Sequence, residues 1–310
     1  MTASTERAAR ADHAVRTAAA AAKELGLTVT DPTVLYDVFS VVVHLKPSPV
    51  VARIPAVLPG SSLAPALAVK RLQKELDLAR WLADQGHLVV TPTPLVPLRP
   101  VQRDGLSMTF WTYVEHDKSA APDYDHGTAL SAELHAVLAG YQGELPWMPA
   151  LDSVPEVLRD LPRDTALLEP ADYDRIEKEW ATLEPVVMSR AGFEQRFPAA
   201  RVQPIHGDAP AYNVIPTADG VLWSDFEDAG LGPVEWDLAG FGPELAAKYD
   251  EAAARLGRPG HDQQILQVMD TARTLQFMAC LPLVPQLPEL AEGLKMTIDA
   301  WRDTPFAGGL

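Results

Sequence analysis

The stretch PIHGDAPAYNVIPTADGVLWSDFEDAG, residues 204–230, sets His206, Asp208 and Asn213 ahead of an acidic cluster of Asp225, Glu227 and Asp228. Two short apolar runs, residues 213–216 and 221–224, flank Asp219-Gly220, a dipeptide that favours the tight turn of a β-hairpin. In that register Asn213 stands opposite Asp225. Side chains so opposed have Cβ atoms about 4.5–5.5 Å apart, which lets an amide oxygen and a carboxylate share one Mg2+ at about 2.1 Å each. Asp208 precedes Asn213 by five residues, on the loop before the first strand, outside the metal pair but near it. A carboxylate there suits a general base. A base for an attacking hydroxyl, with an Asn and an Asp that hold a metal on phosphates, are the parts that phosphoryl transfer requires.

His206, Asp208 and Asn213 fit the catalytic-loop pattern His-x-Asp-x4-Asn, and the whole segment 205–239 resembles the aminoglycoside phosphotransferase family, relatives of the protein kinases that phosphorylate small hydroxylated molecules. The resemblance implies Asp208 as catalytic base, Asn213 and Asp225 as Mg2+ ligands, ATP or GTP as co-substrate, and His206 as the residue that holds the loop. Glu227 shares the face of Asp225 if the chain is still extended there, and relatives with Asp-x-Glu use that Glu at the metal. Asp237 resembles the structural Asp of the family, bonding main-chain amides near the catalytic loop. The acceptor is expected near Asp208, with Asp228, Asp270 and Arg273 as candidate lining. Antibiotics, sugars, choline-like alcohols and nucleosides all suit such an enzyme.

These groups need a scaffold. Residues 33–57 are β-rich and predict three antiparallel strands, the last two joined by the turn Pro47-Ser48-Pro49. Over residues 64–84 the pattern becomes helical, with Leu72, Leu76, Ala79 and Leu82 on one face. Two more strands follow, the clearer over residues 106–115, so a five-stranded sheet with one helix fills the first third. The polar stretch HDKSAAPDYDH marks a hinge. Beyond it, Leu130, Leu134 and Val137 mark one helix and Ile176, Trp180, Leu183 and Val187 another, with two more near residues 262–281 and 287–301. The expectation is an α+β, two-lobed protein-kinase-like fold. Residues 1–115 form a small antiparallel sheet lobe with one helix for the nucleotide, and residues 116–310 a larger, mostly helical lobe for catalysis and the acceptor.

The sheet lobe should supply a cation for the nucleotide phosphates. Arg53, in VVAR on the third strand, stands where kinases place a Lys, and Glu75 on the following helix is its natural ion-pair partner. The first turn, LYDVFSVVV, contains no glycine, so no Gly-rich flap covers the phosphates and Ser40 is the candidate contact. Main-chain groups from Tyr113 to Glu115 are where adenine would bond.

A chain of 310 residues exceeds one ordinary core, which agrees with two lobes. Its net charge of −16 repels a phosphate backbone and disfavours a nucleic-acid partner. No apolar run is long enough for a membrane span, and the alanine run Ala18 to Ala22, between Arg16 and Lys23, reads as an exposed amphipathic helix. With no signal-peptide pattern and a lone Cys280 in an apolar run, the chain is expected in the cytoplasm, the thiol serving as a small buried hydrophobe. Two other classes compete. One is a metal-dependent hydrolase that recasts His206, Asp208 and Asp225 as ligands, although no His-x-His or His-Glu-x-x-His spacing occurs. The other is a non-catalytic nucleotide-binding pseudokinase, suggested by Arg53 and the missing glycines and opposed by the intact Asp208, Asn213 and Asp225.

Overall fold

The computed structural model describes residues 3–57, 60, 65–116, 121–218 and 220–310. Residues 117–120 of the expected hinge and the turn residue Asp219 lie outside the described residues. The architecture is α+β, with an antiparallel sheet in the N-terminal part and helices in the C-terminal part. Two compact units divide the chain: Met1–Ala120 with Ile215–Glu227 and Pro285–Leu287, and Ala121–Val214 with Asp228–Val284 and Pro288–Leu310.

In the first unit, β1 (Val29–Asp37), β2 (Ser40–Pro47), β3 (Val50–Pro55), β4 (Val101–Arg103) and β5 (Leu106–Thr112) form one sheet in the order β1-β2-β3-β5-β4. Strand alternation sorts its side chains. Val41, Val43, Leu45, Val50, Ala52, Ile54, Met108 and Phe110 form one core face, and Ala14, Ala18, Ala21 and Ala22 of α1 (Ala3–Glu24) are buried in the same cluster. The alanine run is therefore not exposed: side chains this small let the helix lie close on the sheet, and Arg7 and Arg10 nearer its start pair with Asp37. Register places Val42, Arg53 and Thr109 side by side on the opposite face, and His44, Val51 and Trp111 beside them. There α2 (Pro65–Asp84) packs against β5, its Leu72, Leu76, Ala79 and Leu82 buried. Both faces of β5 are thus covered, which is why Thr109 and Trp111 are as inaccessible as Met108 and Phe110.

The hairpin β7 (Val214–Thr217) and β8 (Gly220–Trp223) is tied to the chain after α2, because Val90 N–H donates to the Trp223 carbonyl at 2.8 Å and Trp223 N–H to the Leu88 carbonyl at 3.0 Å. Those two bonds account for its place in the first unit.

The second unit holds α3 (Tyr124–Leu138), α4 (Val154–Arg159), α5 (Pro170–Val187), α6 (Arg190–Arg196), α7 (Pro243–Arg255), α8 (Gln263–Met278) and α9 (Leu290–Arg302). Asp123 caps α3 by accepting from His126 N–H at 2.9 Å, and Asp262 caps α8 by accepting from Gln264 and Ile265 N–H groups at 2.9 and 3.1 Å. Ala132 of α3, Tyr249, Ala252 and Ala253 of α7, and Leu266 of α8 share a core with Val234 and Leu238. A short antiparallel pair, β6 (Val202–Ile205) and β9 (Gly230–Pro233), flanks the segment that begins with the loop motif His206-Gly207-Asp208. No helix among the described residues is long and apolar enough to cross a membrane.

Candidate active site

Strand β6 ends at Ile205, and the next three residues turn on one buried carboxylate. Asp237, 1% exposed, accepts from His206 N–H at 2.9 Å and Gly207 N–H at 2.8 Å. His135 of α3 bonds the same carboxylate through Nε2 at 2.9 Å and Tyr249 of α7 through Nδ1 at 3.0 Å, so two packed helices orient Asp237. Burial alone would raise the Asp237 carboxyl; hydrogen bonding and charge from His135, with further help from His206, hold it below the usual range. The Gly207 carbonyl accepts from Trp236 Nε1 at 2.8 Å and from Arg273 Nη1 at 3.0 Å. Only glycine serves at 207: φ is +88°, and a Cβ would collide with the Asp228 carbonyl.

This clamp leaves the Asp208 side chain 48% exposed. Its two oxygens are nonetheless fixed, one paired with the Arg273 guanidinium and the other accepting from Asn213 Nδ2 at 2.9 Å, while the same Nδ2 also reaches the Asp208 carbonyl at 2.7 Å. Enclosure by protein raises the Asp208 carboxyl, with Arg273 opposing and Asp228 adding, although nearly half of the side chain reaches water. His206 Nδ1 accepts from Asp208 N–H at 3.2 Å, which ties the imidazole to the loop. Arg273, buried on α8, lies over the Trp236 ring at 5.1 Å. The sequence reading offered Arg273 as acceptor lining and missed its bond to Asp208, since α8 and the loop are 65 residues apart.

In the first unit Arg53 gathers three acidic side chains. Its Nη1 donates to Glu75 at 3.2 Å, and its Nη2 meets Asp225 at 2.8 Å and Glu227 at 2.7 Å. Burial would lower the guanidinium, and the charges of Asp225, Glu227 and Glu75 raise it well above its ordinary value. Glu75, 1% exposed, is pushed up to about 7 by burial, against the pull of Arg53 and with the push of Glu227. Arg71 Nε and Lys74 Nζ, respectively four residues and one residue before Glu75 on α2, donate to the Glu227 carbonyl at 3.3 and 2.8 Å. Ser40 opens β2 as a buried residue on the Arg53 side of the sheet. Tyr113 N–H is engaged by the Pro49 carbonyl at 3.0 Å, its ring stacks on His44 at 3.8 Å, and Glu115 is exposed beyond the strand end.

Two geometric expectations are corrected. Asn213 and Asp225 are not opposed strand residues: Asn213 closes the 3-10 turn Ala211–Asn213, and Asp225 lies past β8 in the left-handed region at φ 59°. Nor is the chain extended from Asp225 to Glu227, because Phe226–Asp228 is a 3-10 turn. Asp225 and Glu227 converge all the same, since both meet one nitrogen of Arg53. Two hard carboxylate oxygens already drawn to one positive centre are a fitting donor set for Mg2+. Asn213 turns its amide nitrogen to Asp208, so its oxygen, the atom a cation would use, lies on the other side of the amide.

The sequence pattern of the phosphotransferase enzyme family matches residues 38–273. The chain belongs to that family. The match spans both the Arg53 cluster and the Asp208 loop, and it agrees with the resemblance carried by the His-Gly-Asp motif. Among solved structures, the phosphotransferase is similar to a microcompartment-associated aminopropanol kinase, with a TM-score of 0.61 and 16% identity over 91% of this chain and 94% of that one. It is similar to amicoumacin kinase hAmiN in complex with AMP-PNP, Ca2+ and Ami, with a TM-score of 0.60 and 15% identity over 94% and 95% of the two chains. It is also similar to the GDP complex of wild-type aminoglycoside 2'-phosphotransferase-IIIa, with a TM-score of 0.59 and 15% identity over 90% and 96%. No curated protein matches it in sequence. At such identities the likeness is one of fold; family membership makes this chain a phosphotransferase.

Proposed function

We propose that this phosphotransferase moves the γ-phosphoryl group of ATP or GTP to a hydroxyl of a small molecule, with Asp208 as the general base. The observation that carries the reading is the Asp208 carboxylate: solvent-accessible, yet fixed by Arg273 and Asn213 on a loop clamped by Asp237. A base so held meets the acceptor hydroxyl without reorganising at the moment of transfer. Arg273 opposes the rise that burial imposes on the Asp208 carboxyl and so favours its ionised form.

Asn213, Asp225 and Glu227 would hold Mg2+, which when bound neutralises charge on the nucleotide phosphates. Arg53 acts on the phosphates as a charge clamp oriented by Glu75, and Ser40 adds a phosphate contact. Because Tyr113 N–H is already engaged, base recognition rests on main-chain groups toward Glu115. AMP-PNP in one neighbour and GDP in another support a nucleotide co-substrate and leave both purines as the arms of the test. Residues 1–115 then serve the nucleotide and residues 116–310 the chemistry and acceptor, in the cytoplasm where nucleotide triphosphates are plentiful.

The test is nucleoside diphosphate release with ATP and with GTP, with and without Mg2+, over a panel of hydroxylated acceptors. Asp208→Asn should abolish release while retaining nucleotide affinity. Turnover retained in the purified variant overturns the base assignment.

A further inference from the structure

Within the second unit lies a cavity of about 500 Å3 whose described lining includes Tyr124, Phe241, Leu245, Phe277, Met296 and Thr297 and contains no ionisable carboxylate, ammonium or guanidinium. That volume falls in the range of about 300–1,000 Å3 typical of small-molecule sites. Tyr124 and Phe241 make one aromatic wall, their rings 5.7 Å apart. Tyr124, Phe277 and Met296 are 37%, 47% and 64% exposed, large apolar groups left in water around one concavity, which a bound molecule would cover.

Two contacts join these walls to the loop that carries Asp208. Tyr124 neighbours Tyr212, which stands between Asp208 and Asn213 in the chain. Phe277 lies one helical turn after Arg273 on α8, and the Arg273 guanidinium sits 5.9 Å from its ring while pairing with Asp208. Two of the cavity walls therefore neighbour residues that flank the base.

Its chemistry selects the ligand. A polycation buried here would give up water and meet no described counter-charge in the walls. Beyond the walls the nearest charges, Arg273 and Asp208, pair with each other and so offset one another. We infer that the cavity is the acceptor subsite and that it takes a neutral hydroxylated molecule with an aromatic or apolar body. This rests on the phosphotransfer reading above. The body packs between Tyr124, Phe277 and Met296 and presents its hydroxyl toward Asp208. The acceptor O–H gives its proton to Asp208, its oxygen bonds to the γ-phosphorus, the bond from that phosphorus to the bridging oxygen breaks, and the nucleoside diphosphate leaves with the bonding electrons.

Binding of 2-phenylethanol and 2-(2-naphthyl)ethanol, with kanamycin and choline as cationic arms, is to be read by saturation-transfer NMR on the full chain, alongside diphosphate release. The aryl alkanols should bind, and Phe277→Ala and Met296→Glu, both at exposed positions, should each weaken them about ten-fold or more while leaving the nucleotide KM unchanged. Binding of kanamycin or choline without the aryl alkanols overturns the inference, as does aryl-alkanol binding that neither substitution moves. Asp208→Asn separates the two readings: it should lose turnover and keep cavity binding. If it keeps both, the base assignment falls and the cavity inference stands.

Discussion

Two charged clusters, one in each unit, are built on opposite plans. Around Asp237 a single buried carboxylate receives two main-chain N–H groups of the loop and an imidazole from the packed helix α3. Around Arg53 a single guanidinium is shared by Glu75, Asp225 and Glu227, with long side chains and charge supplying the bonds. Main-chain donors cannot swing away, so the first cluster has one geometry. Side-chain ion pairs can exchange partners, so the second can pass its carboxylates from guanidinium to a metal, and its guanidinium from carboxylates to phosphates. The contrast matches the proposed division of labour: a base must wait in place, whereas a phosphate and metal site has to change partners as its ligand arrives.

The largest expected effect tests the fixed side. Asp208→Asn should lower kcat by about 10²–10⁴-fold, the usual worth of a general base, with nucleotide affinity retained. Next, Asp237→Ala leaves His135 and two buried N–H groups without their acceptor, and denaturant unfolding should show a loss of about 3–5 kcal/mol. Asp225→Ala, in the exchangeable cluster, should cost less than about 1 kcal/mol by the same measurement, because its side chain is 37% exposed and Arg53 keeps two other partners. Equal losses in the two variants would break the comparison.

A smaller effect concerns Arg53 itself. Arg53→Ala should raise the nucleotide KM and lower kcat by about 2–3 kcal/mol in kcat/KM, Arg53→Lys should keep much of the activity, and Arg53→Ala with Glu75→Ala should be little worse than Arg53→Ala alone. Full additivity in steady-state kinetics at varied ATP would show that Glu75 does not act through Arg53. A last expected effect is a pH dependence of stability. Glu75 binds its proton more tightly in the folded protein, about 7 against an ordinary 4.5, so folding stability falls as the pH rises through that window. Across that window the loss should amount to roughly 3 kcal/mol at most, and Glu75→Gln should flatten it in urea unfolding at pH 4.5–7.5. A slope unaltered in that variant places the titrating group elsewhere.

What could be read from the amino-acid order was whatever depends on near neighbours. Alternation in β2, β3 and β5, the helical spacing of Leu72, Leu76 and Leu82, and the His-x-Asp-x4-Asn spacing are local, and each directed the reading to the right element or family. Helix α7 escaped notice because its buried face is Ala246, Tyr249, Ala252 and Ala253, small residues that give little apolar contrast. The exposed reading of α1 failed for the same cause: an alanine face looks bland until a sheet is laid against it. Near the site, the left-handed backbone of Asp225 replaced the extended hairpin end that strand pairing suggested. Tertiary structure alone decided that His135 and Tyr249 orient Asp237, that Arg273 holds Asp208, and that Arg53 collects carboxylates from α2 and from the turn after β8. Those partners lie up to 172 residues apart, and no local pattern encodes a bond whose two ends meet only when distant elements have packed.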